Sequence, residues 1–149
     1  RISVREIATF GTGVTLNADL VMKTGASLNM AGAVQMGSDV RLETGLSLTG
    51  SLYDEVKSMK AGESVTLFTG VDALYLGSSQ NAFTSITLED SVLAKDFFTN
   101  LSDNYFLIYD TSLGDGLGEL SIGMAVPEPT TVTLSLVALA ALAMRRRRK

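Results

Sequence analysis

The chain has 149 residues, one domain's length with room for a tail, and a formal net charge of -4. It contains neither cysteine nor histidine. That excludes disulfides, thiolate metal sites, a cysteine nucleophile, a Ser-His-Asp triad and histidine-bearing zinc or haem centres. Hydrophobic residues make up 46%, enough for a packed core, but aromatics only 7% with no Trp, which argues against broad aromatic ligand platforms.

Charge is uneven. Residues 1–126 carry seven Lys and Arg against fifteen Asp and Glu, whereas Arg145 to Lys149 are all basic. An acidic body repels the phosphate backbone, so nucleic acid is not an expected partner. The chain opens on Arg1, with no basic-then-apolar leader after it. It therefore reads as a C-terminal fragment or a processed product.

From the N-terminus, apolar residues recur every six positions: Phe10, Leu16, Met22, Leu28, Val34, Val40, Leu46, Leu52. A second series, Met30, Met36, Leu42 and Leu48, follows two residues behind. Each unit is an apolar-polar-apolar triplet followed by small, turn-forming residues. The triplet puts two side chains on one face of a strand, and the small residues supply the bend. Six-residue units of this kind read as rungs of a β-solenoid over residues 10–52, each stacking its inward residues on the next. The outward positions are Asn29, Gln35, Arg41 and Ser47. A meander of short antiparallel hairpins with chance spacing is the alternative. The pattern is similar to the passenger solenoids of bacterial surface proteins (the autotransporter type), a likeness of architecture and not of function.

Residues 53–125 break the rhythm and read as a mixed β and small-helix cap for residues 1–52. Asp54 to Lys60 predicts one or two helical turns, acids first and lysines last as the macrodipole prefers. Ser64–Gly70 predicts a strand with Val65, Leu67 and Thr69 on one face. Ala73–Leu76 predicts a short strand or turn, Phe83–Leu88 a strand, and Asp90–Phe98 a helix. Asn104–Asp110 and Gly118–Met124 predict the last two strands. Asp110 to Gly116 is rich in oxygen and glycine, but lacks the acid spacing of a calcium loop and reads as a solvated turn. The neighbouring acids Asp54-Glu55 and Glu89-Asp90 do not make a catalytic pair, which needs two carboxylates set across a cleft. Asn100-Leu101-Ser102 fits a glycosylation pattern without functional weight. Tyr53, Tyr75, Tyr105 and Tyr109 read as strand and core aromatics before they read as a sugar platform. No catalytic, metal-ligating or cofactor-binding residue is expected, and the chain is not expected to be an enzyme.

Residues 126–149 form the third segment. Pro127-Glu128-Pro129 bars a helix across itself and marks a boundary. Thr130 to Met144 carries no charge and is Ala/Leu-rich over its last eleven residues, which predicts a helix apolar all round. Its roughly 22 Å length is short against a hydrocarbon core of about 30 Å, and snorkelling arginines extend it. Arg145, Arg146, Arg147, Arg148 and Lys149 close the chain. A basic flank stays cytoplasmic, so the acidic body would face away from the cytoplasm. The three parts in this order resemble a PEP-CTERM sorting signal: a Pro-Glu-Pro motif, one transmembrane helix and an arginine-rich end. The resemblance covers roughly the last 23 residues. It implies an exported protein of a Gram-negative bacterium, held in the inner membrane by its C-terminal helix. An exosortase-type membrane protease or transferase would then process it and pass it to the cell surface or extracellular matrix. Recognition would fall on Pro127, Glu128 and Pro129. Two other readings stay open for the body: an adhesin or glycan-binding solenoid with extracellular polysaccharide as partner, or the non-catalytic end of a larger polysaccharide-acting enzyme.

Overall fold

The computed structural model describes residues 1–82, 98–102, 104–112 and 116–126. It is mainly β with one short helix. The strands are β1 (Ile2–Val4), β2 (Ile7–Phe10), β3 (Thr15–Leu16), β4 (Leu20–Met22), β5 (Ser27–Met30), β6 (Val34–Met36), β7 (Val40–Leu42) and β8 (Ser47–Thr49). Helix α1 (Gly50–Lys57) follows, then β9 (Ser64–Val71), β10 (Leu74–Leu76), β11 (Tyr105–Asp110) and β12 (Gly118–Met124).

The chain visits three sheets in rotation. The first sheet orders β1-β4-β7-β10, the second β2-β5-β8, and the third β3-β6-β9 with β12 and β11 added beyond β9. Pairing from β1 to β10 is parallel throughout. Between the middle coils the register steps by twenty residues, as Leu20 faces Val40, Ser27 faces Ser47 and Thr15 faces Gln35; Ile2 faces Leu20 at a step of 18, and Val40 faces Leu74 at a step of 34, the coil that contains α1. This is a solenoid-like winding, and it rules out the antiparallel meander for residues 1–49.

The six-residue unit is corrected in one respect. It is a side of the coil and not a rung. Inward residues Leu28, Val34 and Val40 head three successive sides, each in a different sheet. The side from Leu20 to Leu28 is two residues longer, because Lys23 to Ala26 make a wider corner with Gly25 at φ +81°. Ala26, Leu28 and Met30 are fully buried, as are Val34, Val40, Leu42 and Leu48. Register stacks Ala8, Leu28 and Leu48 in the second sheet, and Leu20, Val40 and Leu74 in the first. Each coil thus covers the apolar interior of the one before it.

The helix begins four residues earlier than the sequence predicts. It starts at Gly50, where φ is +77° and a side chain would strike Asn29 Oδ1. Leu52 and Val56, four apart, are its buried residues and set the start by packing. Asp54 and Glu55 consequently fall outside the first turn, although Lys57 does lie in the last. In β9 both Leu67 and Phe68 are fully buried. Strict alternation from Val65 fails there because the ladder to β12 skips Leu67 at a bulge.

Beyond β9 the third sheet turns antiparallel: β12 pairs with β9 and β11 with β12. Tyr105, Leu107 and Tyr109 of β11 face the core. On the second sheet, Phe98 bridges Leu46 in parallel. The Asn100 amide then takes the place of a peptide group. Its Nδ2 donates to Leu48 O at 2.6 Å, and Leu48 N donates to its Oδ1 at 3.1 Å. The expected strand Phe83–Leu88, and the helix from Asp90 short of Phe98, lie outside the described residues.

Candidate functional site

The described chain ends at Val126, just past β12, and the end of that strand is tied down. The turn Lys60 to Glu63 is closed by Glu63 N donating to Lys60 O at 3.0 Å and Lys60 N to the Glu63 carboxylate at 2.6 Å. Gly62 supplies the left-handed corner, with φ +86°. Three backbone bonds then hold the end of β12: Gly62 N to Met124 O (3.0 Å), Met124 N to Glu63 O (3.2 Å), and Ala125 N to Asn104 O (2.7 Å). Val126, 55% exposed, is the first residue past these bonds.

The predicted sorting residues Pro127, Glu128 and Pro129, the expected membrane helix at 130–144, and Arg145, Arg146, Arg147, Arg148 and Lys149 lie outside the described residues. Among the described residues no helix is long and apolar enough to cross a membrane.

The four outward positions do not form one ladder. Asn29 and Ser47 lie on the second sheet, Gln35 on the third and Arg41 on the first. Arg41 is occupied locally. Its guanidinium sits 4.5 Å from the centroid of the Tyr75 ring and donates to Ser79 O at 2.7 Å. It pins the turn that follows β10. The tyrosines are dispersed as well: Tyr105 and Tyr109 are in the core, Tyr75 is stacked under Arg41, and Tyr53 packs beside α1's buried face.

One cluster was not read from the sequence. Asp19, Asp39 and Asp72 approach the same corner of successive coils, just before β4, β7 and β10. Asp39 N donates to Asp19 Oδ1 at 3.0 Å. The Asp39 carboxyl is raised above its ordinary range, first by burial and then by the charges of Asp19 and Asp72. The Tyr109 hydroxyl, which donates to Val71 O at 3.5 Å, is also pushed up, by burial and by Asp72 and Asp39. The twenty-residue recurrence of Asp19 and Asp39 was the available signal, and it repeats in Thr24-Gly25-Ala26-Ser27-Leu28 against Thr44-Gly45-Leu46-Ser47-Leu48. Among the described residues no group of His, Cys, Asp or Glu is placed to hold a metal ion.

Two smaller expectations resolve simply. Asp110 accepts from both the N–H and the hydroxyl of Ser112, which holds its carboxyl low and makes an Asx-type turn at the start of the expected 110–116 turn, whose residues 113–115 lie outside the described residues. Asn100 spends its amide on Leu48 and has a structural role. Burial would raise Glu43, but Thr24 N and the Lys23 ammonium at 3.4 Å outweigh it and hold the carboxyl low.

Comparison with known families finds the PEP-CTERM protein-sorting motif over residues 125–149. The match begins at Ala125, whose N–H is bonded to Asn104 O. No curated protein and no solved structure matches the chain. The motif implies export, membrane-associated sorting and an exosortase as the processing partner.

Proposed function

We propose that this chain, bearing the PEP-CTERM sorting motif, is a structural protein of the cell surface or extracellular matrix. In this reading it is the substrate of a processing enzyme and not itself an enzyme. The observation that carries it is the motif at 125–149, joined without a spacer to a folded body. Pro127, Glu128 and Pro129 are the recognition element. The apolar stretch 130–144 spans the inner membrane until processing, and Arg145 to Lys149 keep the end in the cytoplasm. Residues 1–52 are the winding of a β-solenoid. Residues 53–125 carry that winding on and close it with α1, β11 and β12, which cover strand edges that would otherwise pair with other chains.

The absence of His and Cys and the sequence-adjacent acids support the substrate reading. A parallel winding with short turns suits a scaffold that holds its shape outside the cell without disulfides.

The test is the C-terminus of the mature, cell-derived protein, read by mass spectrometry of its terminal peptide. Loss of the segment beyond the motif, with the body outside the cell, is the expected result. An intact Lys149 in the membrane fraction refutes processing and leaves a simple anchor.

A further inference from the structure

We infer that the sorting enzyme's contact with this chain extends past the motif onto an apolar groove in the body, walled by Phe106, Ile108, Met124 and Val126. This rests on the exosortase reading above and adds a second contact surface to it.

The groove encloses about 330 Å³ beside the point where the chain leaves the body, with Gly62 and Ser64 on its other side. Its origin is local. Tyr105, Leu107 and Tyr109 point into the core, so Phe106 and Ile108 project from the opposite face of β11. Opposite Phe106 stands Gly123. A Cβ there would lie 2.7 Å from Ile108 Cδ1 and 3.0 Å from Phe106 Cζ, so the missing side chain is what lets both lean across β12. Gly62 does the same for Val126, whose Cγ2 would lie 3.3 Å from an added Cβ. Two glycines thus leave an apolar trough, and among the described residues Glu63 is the one charged residue lining it.

Covalent reach decides the occupant. Ala125 is hydrogen-bonded to Asn104, and only Val126 separates it from Pro127. An extended chain advances at most about 3.6 Å per residue, so Pro127 lies within roughly 7 Å of Ala125 and Pro129 within roughly 14 Å. An enzyme that grips Pro127-Glu128-Pro129 therefore stands against the body. The matched motif itself begins with Ala125 and Val126, which line the groove. The matched motif thus starts on the trough's own lining, and the apolar character of that lining suits an apolar projection from a membrane enzyme.

The experiment uses the full chain in cells that contain the exosortase. A photo-reactive residue replaces Ser64, which is exposed, lines the trough and lies outside the motif. The expected product is an adduct with the exosortase, identified by mass. In parallel, Phe106→Asp and the groove-filling Ser64→Trp should each slow processing by about fivefold to tenfold, the loss typical of a disrupted interface residue. An adduct with residues 127–149 of the same chain, with a second copy or with lipid overturns the proposal. So does wild-type processing in both variants, or a defect in Phe106→Asp that follows a lowered melting temperature while Ser64→Trp is processed normally. Glu128→Ala separates this from the parent reading. If it blocks processing while the groove variants do not, only the groove fails. If it too is processed normally, the exosortase reading fails.

Discussion

Leu28→Ala tests the stacked interior most directly. Leu28 is fully buried in the middle coil, between Ala8 on one side and Leu48 on the other. The substitution removes the larger part of an apolar side chain and leaves two alanines in succession. Collapse is restricted, because strand spacing along the stack is set at about 4.8 Å by the hydrogen-bond ladder. The cost therefore belongs in the upper part of the range for buried Leu→Ala, about 3–4 kcal/mol. A body of this length has a total stability of roughly 6–15 kcal/mol, so the change removes about a fifth or more of it. At roughly 2 cal/mol/K of unfolding entropy per residue, the melting temperature falls by about 10–15 °C. Urea and thermal unfolding followed by far-UV circular dichroism measure both quantities. Gln35→Ala, outward and exposed on β6, is the control and should stay within about 0.5 kcal/mol. A Leu28→Ala cost below about 1 kcal/mol, or an equal cost for Gln35→Ala, would refute the stacked-coil reasoning.

Gly70→Ala should destabilise by about 2 kcal/mol or more, since φ is +64° and the new Cβ would meet Met36 O at 2.6 Å; the same unfolding curves read it. Asn100→Ala strips both partners from the Leu48 peptide group and should cost about 1–3 kcal/mol, with faster hydrogen exchange at the Leu48 amide. Asp39→Asn should stabilise the protein at neutral pH. The native carboxyl is raised, so the folded state binds its proton more readily than the unfolded chain. That group favours folding only as pH falls through its raised value, and the variant's advantage should shrink there in a stability series against pH.

Much of the winding was legible because its sides are short and most of them alternate, β4 with its three buried residues excepted. Val34-Gln35-Met36 and Val40-Arg41-Leu42 each read as in-out-in, and the burial follows that order. The coil length was less legible. Two sides of six residues mimic a six-residue repeat, and only the wider corner at Lys23 to Ala26 reveals the twenty-residue period. Side chains that act as backbone, as Asn100 does for Leu48, leave no periodic trace, since the partner is remote in sequence. The bulge at Leu67 was hidden for a related reason: it depends on β12, more than fifty residues later. The start of α1 was misplaced because charge order was weighed above the Leu52 and Val56 spacing. At the site the reverse held. The sorting motif is a compact local signal, recognised by the resemblance of residues 127–149 in their order along the chain, whereas the groove exists only once Gly62, Phe106 and Gly123 are brought together.

The position of β12 has a mechanical meaning. This strand lies between β9 and β11, antiparallel to both, and the chain departs from its C-terminal end. Tension applied through the tail and drawn along the strand would load two ladders together. Their hydrogen bonds run perpendicular to the strand, so they would be sheared as a set and not peeled one by one. An edge strand in that place would be sheared through one ladder instead of two. A body pulled from this end is held by a strand paired on both sides.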